Sequence, residues 1–351
     1  MSGRGIANFP MKLLAGNEQS TRWLDQLPRR YQRYRRPPWC YGMTTDNELC
    51  FVETYAREVF SGAGRIVDLG CWFGATTLSL ARGLTARRMA AACNTIEALD
   101  RFEWERWMEP IAETVSLPRR YAVGQCFYEE VKELLRPYAP WVSVGRQDLL
   151  RYAPPASPVE FLFIDAMKSW ALAQKIVSGF FPRLIAGRAY VVQQDFAYYH
   201  PVVATSHLIM WYLREHFRCV HHVPDSCSVA FLSTQPIEPA SLPEFSAKLF
   251  TVEMVEAAYE YCLGCVQPNM RPMLEIAKLC FLVQEGHAQA ALGQRRRMAE
   301  MTGATPAMLA CVEASTRERL TASLGMQGAE VEWLRELLAW TSGNPERSHQ
   351  P

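Results

Sequence analysis

The stretch Asp68-Leu69-Gly70-Cys71-Trp72-Phe73-Gly74-Ala75-Thr76 directly follows the β-branched pair Ile66-Val67 and directly precedes a helical pattern. Each part has a chemical use. The glycines let the chain turn sharply and let its backbone come close to a ligand. A helix beginning at Thr76 points free N–H groups at that ligand. Asp68, at the end of the strand, can meet a cationic or hydroxylated group. A dinucleotide fingerprint needs glycines two and then three apart. Here they are four apart, which disfavours an NAD site. The next strand pattern, IEALD, ends in Asp100. A carboxylate there can accept both hydroxyl protons of a ribose.

A second group of chemical residues follows. VEFLFID runs into Asp165-Ala166-Met167-Lys168, and the next strand pattern ends in Gln193-Gln194-Asp195. Two carboxylates at the carboxyl ends of adjacent strands converge beside the same crevice. They suit a hard cation such as Mg²⁺, which lowers the pKa of a hydroxyl and orients it. Lys168, partly desolvated beside such a cation, is a candidate base. Gln194 and Phe196 stand where further oxygen ligands would complete a metal site, so a third strong ligand is missing. A metal-free route uses His200, on the loop after the same strand, as the base. His207 lies inside an apolar helix pattern and reads as structural. His221 and His222 are adjacent in a strand and must face opposite ways. Tyr198, Tyr199, Trp72, Phe73 and Trp170 fall near the crevice mouth and are candidates for an aromatic acceptor pocket.

The elements that position these residues alternate. Strands are expected at RIVDLG, NTIEALD, WVSVGR, VEFLFID and GRAYVVQQD, with helical segments between them and a helix-rich insertion over 104–137. A helix capped at Thr45 or Asp46 precedes the first strand. RCVHHV and SVAFLS, split by the turn Pro224-Asp225-Ser226, close the series as an antiparallel pair. The expected fold is α/β: a doubly wound, mostly parallel seven-stranded sheet with an antiparallel terminal hairpin, plus an α-helical C-terminal extension. The chain divides into a basic, aromatic segment over 1–45, the sheet domain over 46–235, a helical extension over 236–341 and a disordered tail over 342–351.

IVDLGCWFGATT resembles the first motif of class I S-adenosylmethionine-dependent methyltransferases, whose glycine loop passes around the methionine part of the cofactor. The resemblance implies cofactor contacts at Asp68, Gly70, Cys71 and Gly74. It implies ribose contacts at Asp100 and an adenine contact at Asp148, which follows WVSVGR. FIDAMK resembles the motif of cation-dependent catechol and caffeoyl-CoA O-methyltransferases. There the aspartate binds a divalent metal and the lysine deprotonates the acceptor hydroxyl, which implies Asp165 and Asp195 as metal ligands and Lys168 as base. Macrocin-type sugar methyltransferases have a similar layout. The resemblance thus implies S-adenosylmethionine as cofactor, with Mg²⁺ as a second candidate, and transfer of a methyl group to a hydroxyl of a small molecule. An N-methyltransferase using His200, a noncatalytic partner protein on the same fold and an NAD-dependent enzyme are the alternatives.

Composition excludes several classes. The net charge of +1 gives no bulk attraction to nucleic acid or membranes. The run Arg29, Arg30, Arg33, Arg35 and Arg36, interleaved with Tyr31 and Tyr34, could touch phosphates, but reads more readily as a solvated arm or helix packing its tyrosines inward. Hydrophobic residues make up 49% of the 351, which fits a globular core and argues against a disordered chain. Residues 1–30 lack the apolar core of a signal peptide, and no apolar run approaches the roughly 18 to 20 residues of a spanning helix. The 11 cysteines are odd in number and lack framework spacing, so they read as reduced thiols. Cys262 and Cys265, a lone CxxC in a helical pattern, read as buried thiols. A cytoplasmic location follows as the expectation, with a homodimer through the helical extension as a candidate assembly.

Overall fold

The computed structural model describes residues 21–87, 95–112, 114–115, 117, 119–198 and 201–299. At its centre is one seven-stranded sheet of order β3-β2-β1-β4-β5-β7-β6. The strands are β1 (Arg65–Leu69), β2 (Ile96–Asp100), β3 (Val142–Arg146), β4 (Val159–Ile164), β5 (Tyr190–Gln193), β6 (Phe217–His222) and β7 (Val229–Ser233). The first five pair in parallel, and β7 joins both β5 and β6 antiparallel. This is the doubly wound arrangement expected from the sequence. Strand order reverses direction on leaving β1, and ligands bind such sheets beyond the carboxyl ends at that switch point.

Both faces of the sheet are covered. Along β1 and β4, alternate residues enter different cores. Ile66, Phe161 and Phe163 pack on one side, with residues of α2 (Asp46–Glu58), α3 (Ala75–Ala86) and α5 (Tyr128–Leu135). Val67, Leu69, Leu162 and Ile164 pack on the other, with α6 (Trp170–Phe180) and α7 (Ala204–Tyr212). This double burial is why the strand sequences are nearly continuous in apolar residues. Two short helices, α1 (Leu27–Tyr31) and α4 (Glu109–Ala112), pack at the border of the first core, α1 through the buried Leu27.

The C-terminal helices α8 (Val252–Cys265), α9 (Arg271–Gln284) and α10 (Ala288–Ala299) join the second core through Tyr259, Cys262, Leu274, Phe281 and Ala291. The sequence reads α9 and α10 as one pattern; Gly286, at φ +74, breaks it into two. The helices expected over 305–341 and the tail over 342–351 lie outside the described residues. No helix among the described residues is long and apolar enough to cross a membrane.

The N-terminal arm behaves as its sequence suggests. Arg30 pairs with Glu58, while the Tyr31 hydroxyl meets His221 Nε2 at 2.9 Å. Cys262 and Cys265 are buried free thiols, bonded to the carbonyls of His207 and Tyr261. His221 and His222 do face apart: His221 stacks on Phe51, and His222 Nε2 donates to the Ser226 carbonyl.

His207 is fully buried and structural. Its Nε2–H donates to the Phe196 carbonyl, so Nδ1 accepts from the Tyr259 hydroxyl at 3.2 Å. Burial lowers its pKa to about 4, despite the carbonyl partner, and burial lowers that of His221 to about 4 as well. Unfolded histidine titrates near 6.5. These two histidines therefore bind more protons in the unfolded chain between these values, and their contribution to stability falls as pH drops through that window. Full protonation of His207 costs on the order of 3 kcal/mol. Asp68, whose carboxyl is pushed up to about 7, acts in the opposite sense over the same range, so the histidine contribution is read by difference: from pH 6.5 to pH 4 the urea midpoint of His221→Phe should rise relative to that of the wild type. An unchanged slope would contradict the assignment for His221.

Candidate functional site

The glycine loop is held at the carboxyl end of β1. Gly70 N–H donates to Leu99 O at 2.8 Å and Gly74 N–H to Cys71 O at 2.7 Å. Both glycines are left-handed, at φ +83 and +77. A Cβ on Gly70 would lie 2.9 Å from the Asp165 carbonyl. Glycine here lets the chain leaving β4 pass directly over the loop, with Asp165 N–H bonded to Leu69 O at 2.8 Å. Helix α3 starts at Ala75, one residue before the expected Thr76, with left-handed Gly74 as its cap. Cys71 is buried within this loop.

Two non-glycine residues near the loop are also left-handed, Trp72 at φ +45 and Phe102 at φ +52. Such a conformation costs roughly 1–2 kcal/mol for an ordinary residue. The two share a purpose. Trp72 N–H donates to Asp100 Oδ2 at 3.0 Å, and Phe102 N–H donates to Asp100 Oδ1 at 2.7 Å. The Asp100 carboxylate is thus clamped in one orientation, and each oxygen keeps a lone pair for an incoming hydroxyl. Burial raises its pKa, while the two N–H bonds oppose that rise.

Asp68 is fully buried. Its Oδ2 accepts from Thr77 Oγ1 at 2.6 Å, and its Oδ1 has no hydrogen-bond partner. Burial, followed by the negative charges of Asp165 and Asp100 and opposed by Thr77, pushes its carboxyl up to about 7. Asp148 sits just past β3, where the Gln147 N–H bonds to Asp100 O at 2.8 Å. Its Oδ1 closes a turn by accepting from Leu150 N–H at 3.0 Å.

The third cluster joins the ends of β4 and β5. Lys168 Nζ donates to Asp165 Oδ1 at 2.8 Å and also pairs with Asp195 Oδ2. The expectation of Mg²⁺ on Asp165 and Asp195 finds no support in this donor set. The two carboxylates already share an ammonium, and Gln194 supplies no third acid. Among the described residues there is no group of three or more His, Cys, Asp or Glu side chains able to hold a metal. An ammonium has donors and no acceptor, so in this geometry Lys168 acts as a cation bridging two acids. His200 and Tyr199 lie outside the described residues.

The aromatic pocket needs correction. Trp72 and Phe73 are buried, at 7% and 2% exposure, in a cluster with Trp104, Tyr121 and Phe127. Trp170 stacks on Phe250 at 5.7 Å. Tyr198 is half-buried.

Two neighbours of these acids were missed. Thr77 orders Asp68 and carried no signal beyond its place in the Thr76-Thr77 pair. Glu48 is a buried acid bonded to Thr45 N–H and Ser228 Oγ, and Ser228 Oγ also reaches the Gln194 carbonyl. Burial raises its pKa, with Asp165 adding to the rise. The Thr45-x-x-Glu48 capping box was its sequence signal.

No family model matches the chain, and no curated protein matches its sequence. Among solved structures, the chain is similar to the O-methyltransferase NovP, at 15% identity and a TM-score of 0.42, over 56% of this chain and 83% of that one. It is also similar to CalS11, a calicheamicin methyltransferase, at 16% identity and a TM-score of 0.42, over 66% of this chain and 99% of that one.

Gly70 and Gly124 make a matched pair of tests. Both have φ +83, but a Cβ at Gly124 meets nothing within 4 Å. Gly124→Ala should cost only the backbone term, roughly 1–2 kcal/mol. Gly70→Ala should cost clearly more in urea denaturation, because the Asp165 backbone must also move. Equal losses would show that the loop and β4 are not in close contact.

Proposed function

We propose that the protein is an S-adenosylmethionine-dependent methyltransferase that transfers a methyl group to a hydroxyl of a small-molecule acceptor. The observation that carries this reading is the clamp on Asp100, beside a glycine loop whose Gly70 has no room for a side chain. Residues in the left-handed region persist where the surroundings over-determine them, and they cluster at ligand sites.

The residues fit this cofactor. Asp100 presents two free lone pairs, suited to the two hydroxyls of a ribose. Asp68 Oδ1, buried without a partner, and the nearby Asp165 and Asp100 make the crevice electronegative, which complements a ligand carrying a sulfonium and an ammonium. Asp148 stands at the end of β3 as the candidate adenine contact. When bound, the cofactor supplies an electrophilic methyl group on sulfur. The chain's own task is then to place an acceptor oxygen in line and to remove one proton. Asp195, at the mouth beside Lys168, is the carboxylate assigned to take that proton, with Lys168 orienting the oxygen. His200, five residues beyond Asp195 in the sequence, is the alternative base.

Isothermal calorimetry tests the reading. S-adenosylmethionine and S-adenosylhomocysteine should bind and NAD should not. Asp100→Asn should weaken binding at least about tenfold, since a hydrogen bond to a charged group contributes roughly 1.5–3 kcal/mol. No binding of either sulfur compound would overturn the proposal. Asp68 adds a pH dependence. Its folded carboxyl is protonated below about 7, and a bound cation favours its ionised form. Affinity for S-adenosylmethionine should therefore rise from pH 6 to pH 7 and level off above. Asp68→Asn should flatten that profile, while a flat wild-type profile would dissociate Asp68 from the cofactor.

A further inference from the structure

The ammonium of Lys168 lies where two strand-end carboxylates converge, in contact with both Asp165 and Asp195. The Lys168, Asp165 and Asp195 side chains are 34%, 27% and 26% exposed, so the cluster is open to solvent. Backbone bonds fix both acids: Asp165 N–H to Leu69 O at 2.8 Å, and the Tyr198 N–H to Asp195 O at 3.0 Å. Lys168 itself sits on a tight turn, its N–H bonded to Ala166 O at 2.9 Å. From behind, Ser228 Oγ links the Gln194 carbonyl to Glu48, which holds the chain entering Asp195.

We propose that Lys168 is a built-in cation that takes the place of a divalent metal between Asp165 and Asp195. The inference rests on the methyltransferase reading for what the cation serves. Two of the three ammonium N–H bonds go to the carboxylates. The third is aimed at the acceptor oxygen, which it orients and whose developing negative charge it stabilises. The O–H bond breaks as the new O–CH₃ bond forms, the proton passes to Asp195, and the carbon–sulfur bond electrons return to sulfur. Mg²⁺ favours octahedral oxygen coordination and gives up water reluctantly. Two acids that already neutralise an ammonium hold it poorly. Without the ammonium, the same two carboxylates are close enough to attract a hard cation.

The test uses Mn²⁺ alone, titrated into the full chain and followed by the electron paramagnetic resonance signal of the free ion. Wild type is expected to leave the free signal unchanged up to millimolar Mn²⁺. Lys168→Met should acquire one site at least tenfold tighter, and Lys168→Met with Asp195→Asn should lose it again. Lys168→Arg, which keeps the cation, should gain none. Circular dichroism confirms that each variant is folded, and Lys168→Gln replaces the methionine variant if that one is not. Tight wild-type binding of Mn²⁺ that disappears in Asp165→Asn would overturn the proposal. So would a folded Lys168→Met or Lys168→Gln protein that gains no site. Calorimetry with S-adenosylhomocysteine on the same samples separates the two ideas. Absent binding there counts against the methyltransferase reading, whereas the Mn²⁺ arms report on the ion bridge alone.

Discussion

The cost of bringing acids together at one sheet edge governs the architecture of the site. A parallel sheet aligns the carboxyl ends of β1, β2 and β4, with β5 beside them, and so gathers Asp68, Asp100, Asp165 and Asp195 at one end of the sheet. Burial of carboxylates near other carboxylates opposes their ionisation. Each acid is accommodated differently. Asp100 takes two backbone N–H groups, Asp68 takes the Thr77 hydroxyl and a raised pKa, and Asp165 and Asp195 share Lys168. On the methyltransferase reading proposed above, the charge these acids retain is what a cationic cofactor would meet.

Rigidity behind the crevice comes from the two packed faces. The α2–α3 side brings the capping box at Thr45 and the buried Glu48 against the start of β7. The opposite side is extended by α9 and by α8, whose Tyr259 and Cys262 bond to His207 in α7. The C-terminal helices therefore thicken the layer behind β5 and share its core. Strain at Trp72 and Phe102 persists because these surroundings hold it, and it orients the carboxylate on which the cofactor reading depends.

Much of the fold was readable because its signals are local and strong. The apolar runs of β1, β4 and β5 announce a doubly buried sheet, and the Pro224-Asp225-Ser226 turn announces the closing hairpin. The glycine spacing of Gly70 and Gly74 marked the loop for the same reason, since left-handed backbone has a residue preference. Other features were not readable. Left-handed Trp72 and Phe102 have no such preference, because tertiary contacts impose them. That the indole of Trp72 turns into a core with Trp104 and Tyr121 depends on the excursion between β2 and α5, which has little periodicity. The bridge from Lys168 to Asp195 joins two segments that only the folded sheet makes neighbours. The residues of the metal motif were visible, but their neutralisation by one another was not. The break at Gly286 was overlooked because helical periodicity runs through it on both sides.

A crystal structure with S-adenosylhomocysteine tests the central claim most directly. The account predicts both ribose hydroxyls on the Asp100 carboxylate, the amino-acid part against the loop from Gly70 to Gly74, and the sulfur facing the Asp165–Lys168–Asp195 bridge. Ligand density away from this crevice, or an Asp100 carboxylate untouched by a bound ligand, would contradict it.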